Sequence, residues 1–108
     1  MKLVRVGDLP ADAVAAAAEF YAQVLPAMIP PSAGEDLVII FPPADNSHRA
    51  WRLAAVQALA RRHAPLRINA VSSDDEAAIA GTVDFLTHAP GVTGQYLVLD
   101  GIGAGGAI

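Results

Sequence analysis

Between Asp36 and Pro42 the chain runs through five consecutive apolar residues, Leu37-Val38-Ile39-Ile40-Phe41, most of them β-branched. A strand with one wet face alternates polar and apolar side chains. A run without alternation reads as a strand covered on both faces, the condition of a parallel sheet. Gly34-Glu35-Asp36 on one side and Pro42-Pro43 on the other set its limits. Any fold containing this segment must supply packing partners above and below it.

The rest of the sequence offers them. Leu3-Val4-Arg5-Val6, Leu66 to Val71 and Gln95 to Leu99 read as further strands, and three helical stretches lie between the four runs. Pro10-Ala11-Asp12 opens the first helix, where proline and an acid suit the amide end. Val14, Ala18, Tyr21, Leu25 and Met28 recur at three and four residues as its apolar stripe, and Pro30-Pro31 stops it. Asp45-Asn46-Ser47 caps a second helix with Trp51, Ala54, Ala55, Ala58 and Leu59 inward and Arg61, Arg62 and His63 in its last turn. Ser72-Ser73-Asp74 caps the third, with Glu76 placed to complete a capping box with Ser73 and with Ile79, Ala80, Val83 and Leu86 as the stripe. The order β-α-β-α-β-α-β predicts an α/β domain of half-Rossmann type, about four parallel strands with three crossover helices. A single domain is expected over residues 1–108, with a glycine-rich terminal arm at 101–108.

Composition removes several function classes. At 108 residues, 54% apolar and a formal charge of −4, the chain is neither disordered nor basic enough for a nucleic-acid footprint. It has no cysteine, so disulfides, cysteine-ligated zinc and thiol nucleophiles are excluded. His48, His63 and His88 are too widely spaced for a metal site. The apolar window Ala13 to Met28 is broken by Glu19, Gln23 and Pro26, short of the ~20 clean residues of a membrane span. With no signal-peptide pattern at the start, the expectation is a cytoplasmic protein without membrane or nucleic-acid partners.

Two segments resemble the second half of a short-chain dehydrogenase/reductase. Leu66-Arg67-Ile68-Asn69-Ala70-Val71 is similar to that family's Ile-Arg-Val-Asn-Ala-Val strand, and Val92-Thr93-Gly94-Gln95 through Asp100-Gly101 to its closing Val-Thr-Gly-Gln…Asp-Gly-Gly segment. Phe20-Tyr21 through Ile29 resembles the end of the helix after the family's fourth strand, and Leu37 to Phe41 its fifth strand. The likeness begins near Phe20 and spans about half of a family domain of ~250 residues. It also implies that the last crossover is left-handed, with the third helix on the opposite sheet face.

The same comparison removes the chemistry. The family's glycine-rich cofactor turn and ribose selector fall outside this likeness, so no cofactor is expected. The serine that holds the substrate carbonyl aligns near Pro42, and the helical asparagine near Ala13. The tyrosine and lysine of Tyr-x-x-x-Lys fall on His48 and Arg52 in one register, and on Asp45 and Arg49 in another. The family's Pro-Gly beside the nicotinamide is Ser72-Ser73. Two readings stay open for His48 and Arg52, four residues apart on one helical face. They are a catalytic pair, with histidine as general acid and base, or a first-turn histidine and a solvated arginine on an amphipathic helix. Gly101-Ile102-Gly103 resembles a phosphate loop, but no helix follows it.

Family members assemble through two long helices, here Ala11–Ile29 and Ser47–Ala64, and through the last helix and strand. The resemblance therefore implies a non-catalytic relative acting by association, as a homodimer or higher homo-oligomer, or with a full-length reductase subunit. Tyr21, Met28, Trp51, Phe85 and Tyr96 are the interface candidates. The alternative is a minimal NAD(P)-dependent oxidoreductase or small-molecule-binding domain using His48 and Arg52.

Overall fold

The computed structural model describes residues 1–28 and 34–99. In chain order it contains β1 (Lys2–Arg5), α1 (Ala13–Glu19), a π-helical turn (Phe20–Val24), α2 (Leu25–Met28), β2 (Leu37–Phe41), a 3-10 turn (Asn46–His48), α3 (Arg49–Arg62), β3 (Ile68–Ser72), α4 (Glu76–Thr87) and β4 (Tyr96–Val98). The four strands make one parallel sheet in the order β1-β2-β3-β4. The expected half-Rossmann α/β arrangement is present, and the amino-terminal segment joins the sheet. The arm at 101–108 and the Met28 side chain lie outside the described residues.

All five residues of β2 are buried, as their unbroken apolar run requires. Leu37, Ile39 and Phe41 join Ile68, Ala70 and Tyr96 in one core with Phe20, Ala55, Val56 and Leu59 from the α1 and α3 side. Val38, Ile40 and Val71 join Ile79 and Leu86 of α4 in a second core. The alternation of side chains along a strand places these two cores on opposite faces. Helix α4 thus packs on the face opposite α1 and α3 while the strands advance in one direction. The last crossover therefore has the opposite hand to the first two. Coverage of the second face is incomplete. Leu3 of β1 is 44% exposed there, and Arg5 reaches out to form a bidentate ion pair with Glu76.

The first helical stretch is rotated relative to the expected stripe. Ala16 and Phe20 are buried, with Val24 and Leu25 packed against the core, while Val14 and Tyr21 are 78% and 46% exposed. Alanine-rich sequence offers little size contrast, so the largest side chain decides the rotation. Phe20 lies 5.5 Å from both Phe41 and Trp51 between ring centroids, a burial that contributes about 2–3 kcal/mol. The π turn precedes Pro26, which has no amide hydrogen and crowds the carbonyl four residues back. The helix relieves this by widening, with the Leu25 amide reaching Phe20 O.

The other helices also depart in detail. In α3 the buried side is Arg52, Ala55, Val56, Leu59 and Ala60, whereas Ala54 and Ala58 face out. Asp75, not Ser73, caps α4, accepting from the amides of Ala77 and Ala78. Ser73 instead accepts from the Asp75 amide, and Ala80 is exposed.

The amino end of the sheet is tied by the two segments that carry the family likeness. Asn69, fully buried, donates to Val92 O and accepts from the Gln95 amide. Thr93 Oγ1 accepts from the Ile68 amide, and Gly94 donates to Ile68 O with φ at +74°. Arg67 donates to Asp36, Leu86 O and Ala89 O, joining β3, the entry to β2 and the end of α4.

Candidate functional site

The sequence-derived candidates converge at the other end, where β1 and β2 finish. The turn after β1 and the Pro42-Pro43 turn after β2 border a cleft of about 270 Å³, lined among others by Asp8, Pro42, Asp45, His48 and Arg52. The carboxyl ends of parallel strands are where α/β sheets place their ligands, because loops and helix amino termini meet there.

Each residue is held by local structure. Asp45 begins the 3-10 turn, accepting from the amide and hydroxyl of Ser47. These bonds, the hydroxyl first, hold its carboxyl below the usual carboxylate range. His48 is 4% exposed, and both ring nitrogens are engaged. The Trp51 indole donates to Nδ1 at 3.1 Å, and Nε2 lies 2.9 Å from Ala11 O. Indole nitrogen is a donor only and a carbonyl an acceptor only. The imidazole proton therefore sits on Nε2, and the ring clamps the start of α3 to the turn before α1. A general base needs a free lone pair facing the cleft, and His48 has none in this arrangement.

Arg52 is not a solvated arginine. It is 1% exposed, and its Nη1 donates to Pro42 O at 2.9 Å, Tyr96 Oη at 3.1 Å and Ser72 Oγ at 3.3 Å. Its guanidinium carbon lies 4.5 Å from the centroid of Phe41 and 5.7 Å from that of Trp51. No carboxylate pairs with it among the described residues, and its Nε is sealed from solvent without an acceptor.

His48 and Arg52 are thus brought to one cleft. Of the interface candidates, Tyr96 is buried on Arg52, and Trp51 is partly buried against Phe20, Phe41 and His48. Tyr21 and Phe85 are exposed, the latter at 58%. His63 and His88 lie elsewhere, and no group of three metal-ligating side chains occurs among the described residues. Sequence reasoning missed the Arg52–Ser72–Tyr96 cluster. Its signal was an arginine three, four and seven residues before the buried Ala55, Val56 and Leu59, on the apolar side of the helix.

These residues do not fit the nicotinamide dinucleotide that the resemblance implies. The cleft, at about 270 Å³, lies near the lower end of the ~300–1,000 Å³ typical of drug-sized ligands. Arg52 is turned inward to Pro42, Ser72 and Tyr96. Pro42 has no hydroxyl to hold a carbonyl. No step through that cofactor is derived. No helix among the described residues is long and apolar enough to cross a membrane.

A protein-family model described as a short chain dehydrogenase-like protein matches residues 4–99. No curated protein and no solved structure matches the chain.

Proposed function

The chain belongs to the short-chain dehydrogenase-like family, and from that premise we propose that it is a non-catalytic member that acts by association, with a second copy of itself or with a full-length reductase subunit as a structural or regulatory partner. The observation that carries this reading is the outward stripe of α1 and the turn that continues it. Val14, Ala18 and Tyr21 are all exposed, although Ala16 and Phe20 already supply the stripe that packs on the sheet. A helix apolar on both sides is expected to be covered on both sides. Helix α3, on the same sheet face, presents the exposed small residues Ala54 and Ala58, which permit close approach of another helix. Phe85 on α4 adds an aromatic anchor on the opposite face.

The catalytic reading has less support. The serine position carries proline, and both candidate side chains are engaged in bonds that fix the fold. The working assignment is a family member that has kept the frame and the helix surfaces. A cytoplasmic location is part of the same proposal.

Sedimentation equilibrium tests it. The expected mass at about 100 μM is a multiple of 11.1 kDa. Tyr21→Ser with Val14→Ser is expected to return the protein to a folded monomer. A monomer for the unaltered chain, with no retention on an immobilised full-length reductase of the family, overturns the proposal.

A further inference from the structure

Helices α1 and α3 lie on one sheet face and carry opposite charge. Residues 11–28 contain Asp12 and Glu19 and no basic side chain. Residues 49–64 contain Arg49, Arg52, Arg61 and Arg62 and no acidic one. Arg52 is buried, but Asp12, Glu19, Arg49, Arg61 and Arg62 are all exposed. Packing on the sheet does not call for this segregation, because Phe20, Ala55, Val56 and Leu59 make those contacts.

The outward apolar groups divide in the same way. The large ones, Val14 and Tyr21, stand on the acidic helix, and the basic helix offers the small Ala54 and Ala58. Each helix complements the other in charge and in size, and neither complements itself. Both also run in the same direction, since each returns between neighbouring parallel strands. A second copy can face this pair in two symmetric ways. A twofold axis across the helices sets α1 on α1 and α3 on α3, with like charges opposed. A twofold axis along the helices sets α1 of each copy on α3 of the other, acid against base and Tyr21 toward the alanines.

We propose that this surface is occupied by a second copy of the chain, docked about a twofold axis parallel to the helices so that the acidic α1 segment of each copy meets the basic α3 of the other. The inference rests on the association reading above and narrows its two partners to one. Opposed like charges act against the alternative docking, and complementary ones select this register. Symmetry repeats the contact, so every charge acts twice. The attraction joins exposed groups and is therefore screened by salt.

Sedimentation equilibrium on three chains tests it: the unaltered protein, Glu19→Arg, and Arg61→Glu combined with Arg62→Glu, all at exposed positions. The unaltered chain is expected to dimerise, at least about fivefold more weakly in 0.5 M than in 0.05 M NaCl. Each variant alone opposes like charges at both contacts and is expected to dimerise about tenfold more weakly. Mixed in equal amounts, the two variants oppose arginine to glutamate at both contacts, and a heterodimer about as tight as the unaltered dimer is expected. Glu19→Gln only neutralises the charge; it should weaken the dimer about threefold and decides the matter if a reversal disturbs its helix. A dimer that neither reversal nor neutralisation weakens, or reversal variants that fold yet stay apart when mixed, overturns this docking and leaves association standing. A monomer that an immobilised full-length reductase of the family retains does the same. A monomer without such retention overturns both.

Discussion

At the amino end of the sheet, Arg67 donates to the Asp36 carboxylate and to two carbonyls that close α4, Leu86 O and Ala89 O. At the carboxyl end, Arg52 is more deeply buried, yet among the described residues it has only neutral acceptors, all on one nitrogen. The first arginine joins three elements and finds acceptors for both Nε and Nη1. The second is held in place with donors left over. In parallel α/β sheets the carboxyl end is where ligands are met, and the opposite end is free to serve stability. The contrast separates out the matches to the family that are structural. Arg67, Asn69, Thr93 and Gly94 fasten the amino end, so their retention says that the frame is preserved and nothing about catalysis.

Removing the amino-end staple tests that comparison most severely. Arg67→Met removes the side-chain donor of two carbonyls and the charged partner of Asp36, which keeps only the residue 67 backbone amide, and is expected to cost about 3 kcal/mol, read as a lowered urea midpoint with the same slope. A loss no larger than that of Arg52→Met would collapse the contrast between the two ends.

Asp36 sharpens it with pH. The Arg67 backbone amide, opposed by partial burial and helped by the Arg67 side chain, holds the Asp36 carboxyl below its ordinary value of 3.8. Its folded form thus favours the ionised state more than the unfolded chain does. The resulting stability is complete above the ordinary value and is lost as pH falls through the lower folded value. Asp36→Asn is expected to cost about 1–2 kcal/mol at neutral pH. The two proteins should converge in acid, a trend that unfolding curves at pH 7 and near pH 2 would check. Parallel curves at both values would remove Asp36 from the account.

Gly94 tests the backbone of the same end. An alanine Cβ there meets only Ala60 Cβ at 3.7 Å, an ordinary contact, so space is not the constraint. The positive φ of +74° is. Gly94→Ala is expected to lower stability by about 1 kcal/mol, measurable as a drop in thermal midpoint. An unchanged midpoint would show that the turn relaxes at no cost.

The legibility of the sequence follows the same division. The five apolar residues of β2, the parallel order and the opposite placement of α4 could be anticipated, because unbroken burial and the family likeness each constrain the sheet. The rotation of α1 could not be read in an alanine-rich stretch with two apolar stripes, where only Phe20 packing between Phe41 and Trp51 decides. The cap of α4 was ambiguous because Ser73, Asp74 and Asp75 all qualify chemically. His48 and Arg52 were visible as a pair on one helical face. Their partners Ala11, Ser72 and Tyr96 come from other elements and could not be seen.

The smallest expected effect on stability belongs to Arg52. Methionine is shorter and uncharged, fills part of the space beside Phe41 and Trp51, and removes from the interior a charge with no ion-pair partner among the described residues. Of the groups it abandons, Pro42 O keeps a donor in Ser72 Oγ at 3.3 Å, while Tyr96 Oη loses the arginine. Arg52→Met is therefore expected to change stability by less than about 1 kcal/mol, in either direction, against the large loss at Arg67. Arg52→Lys discriminates further, because a point charge on a shorter reach keeps the desolvation cost while losing the planar fork that stacks on Phe41. Lysine should be the less stable of the two variants in matched urea titrations. The reverse ranking would mean that the cation itself holds this end of the sheet together, and the two ends would then be fastened by the same means.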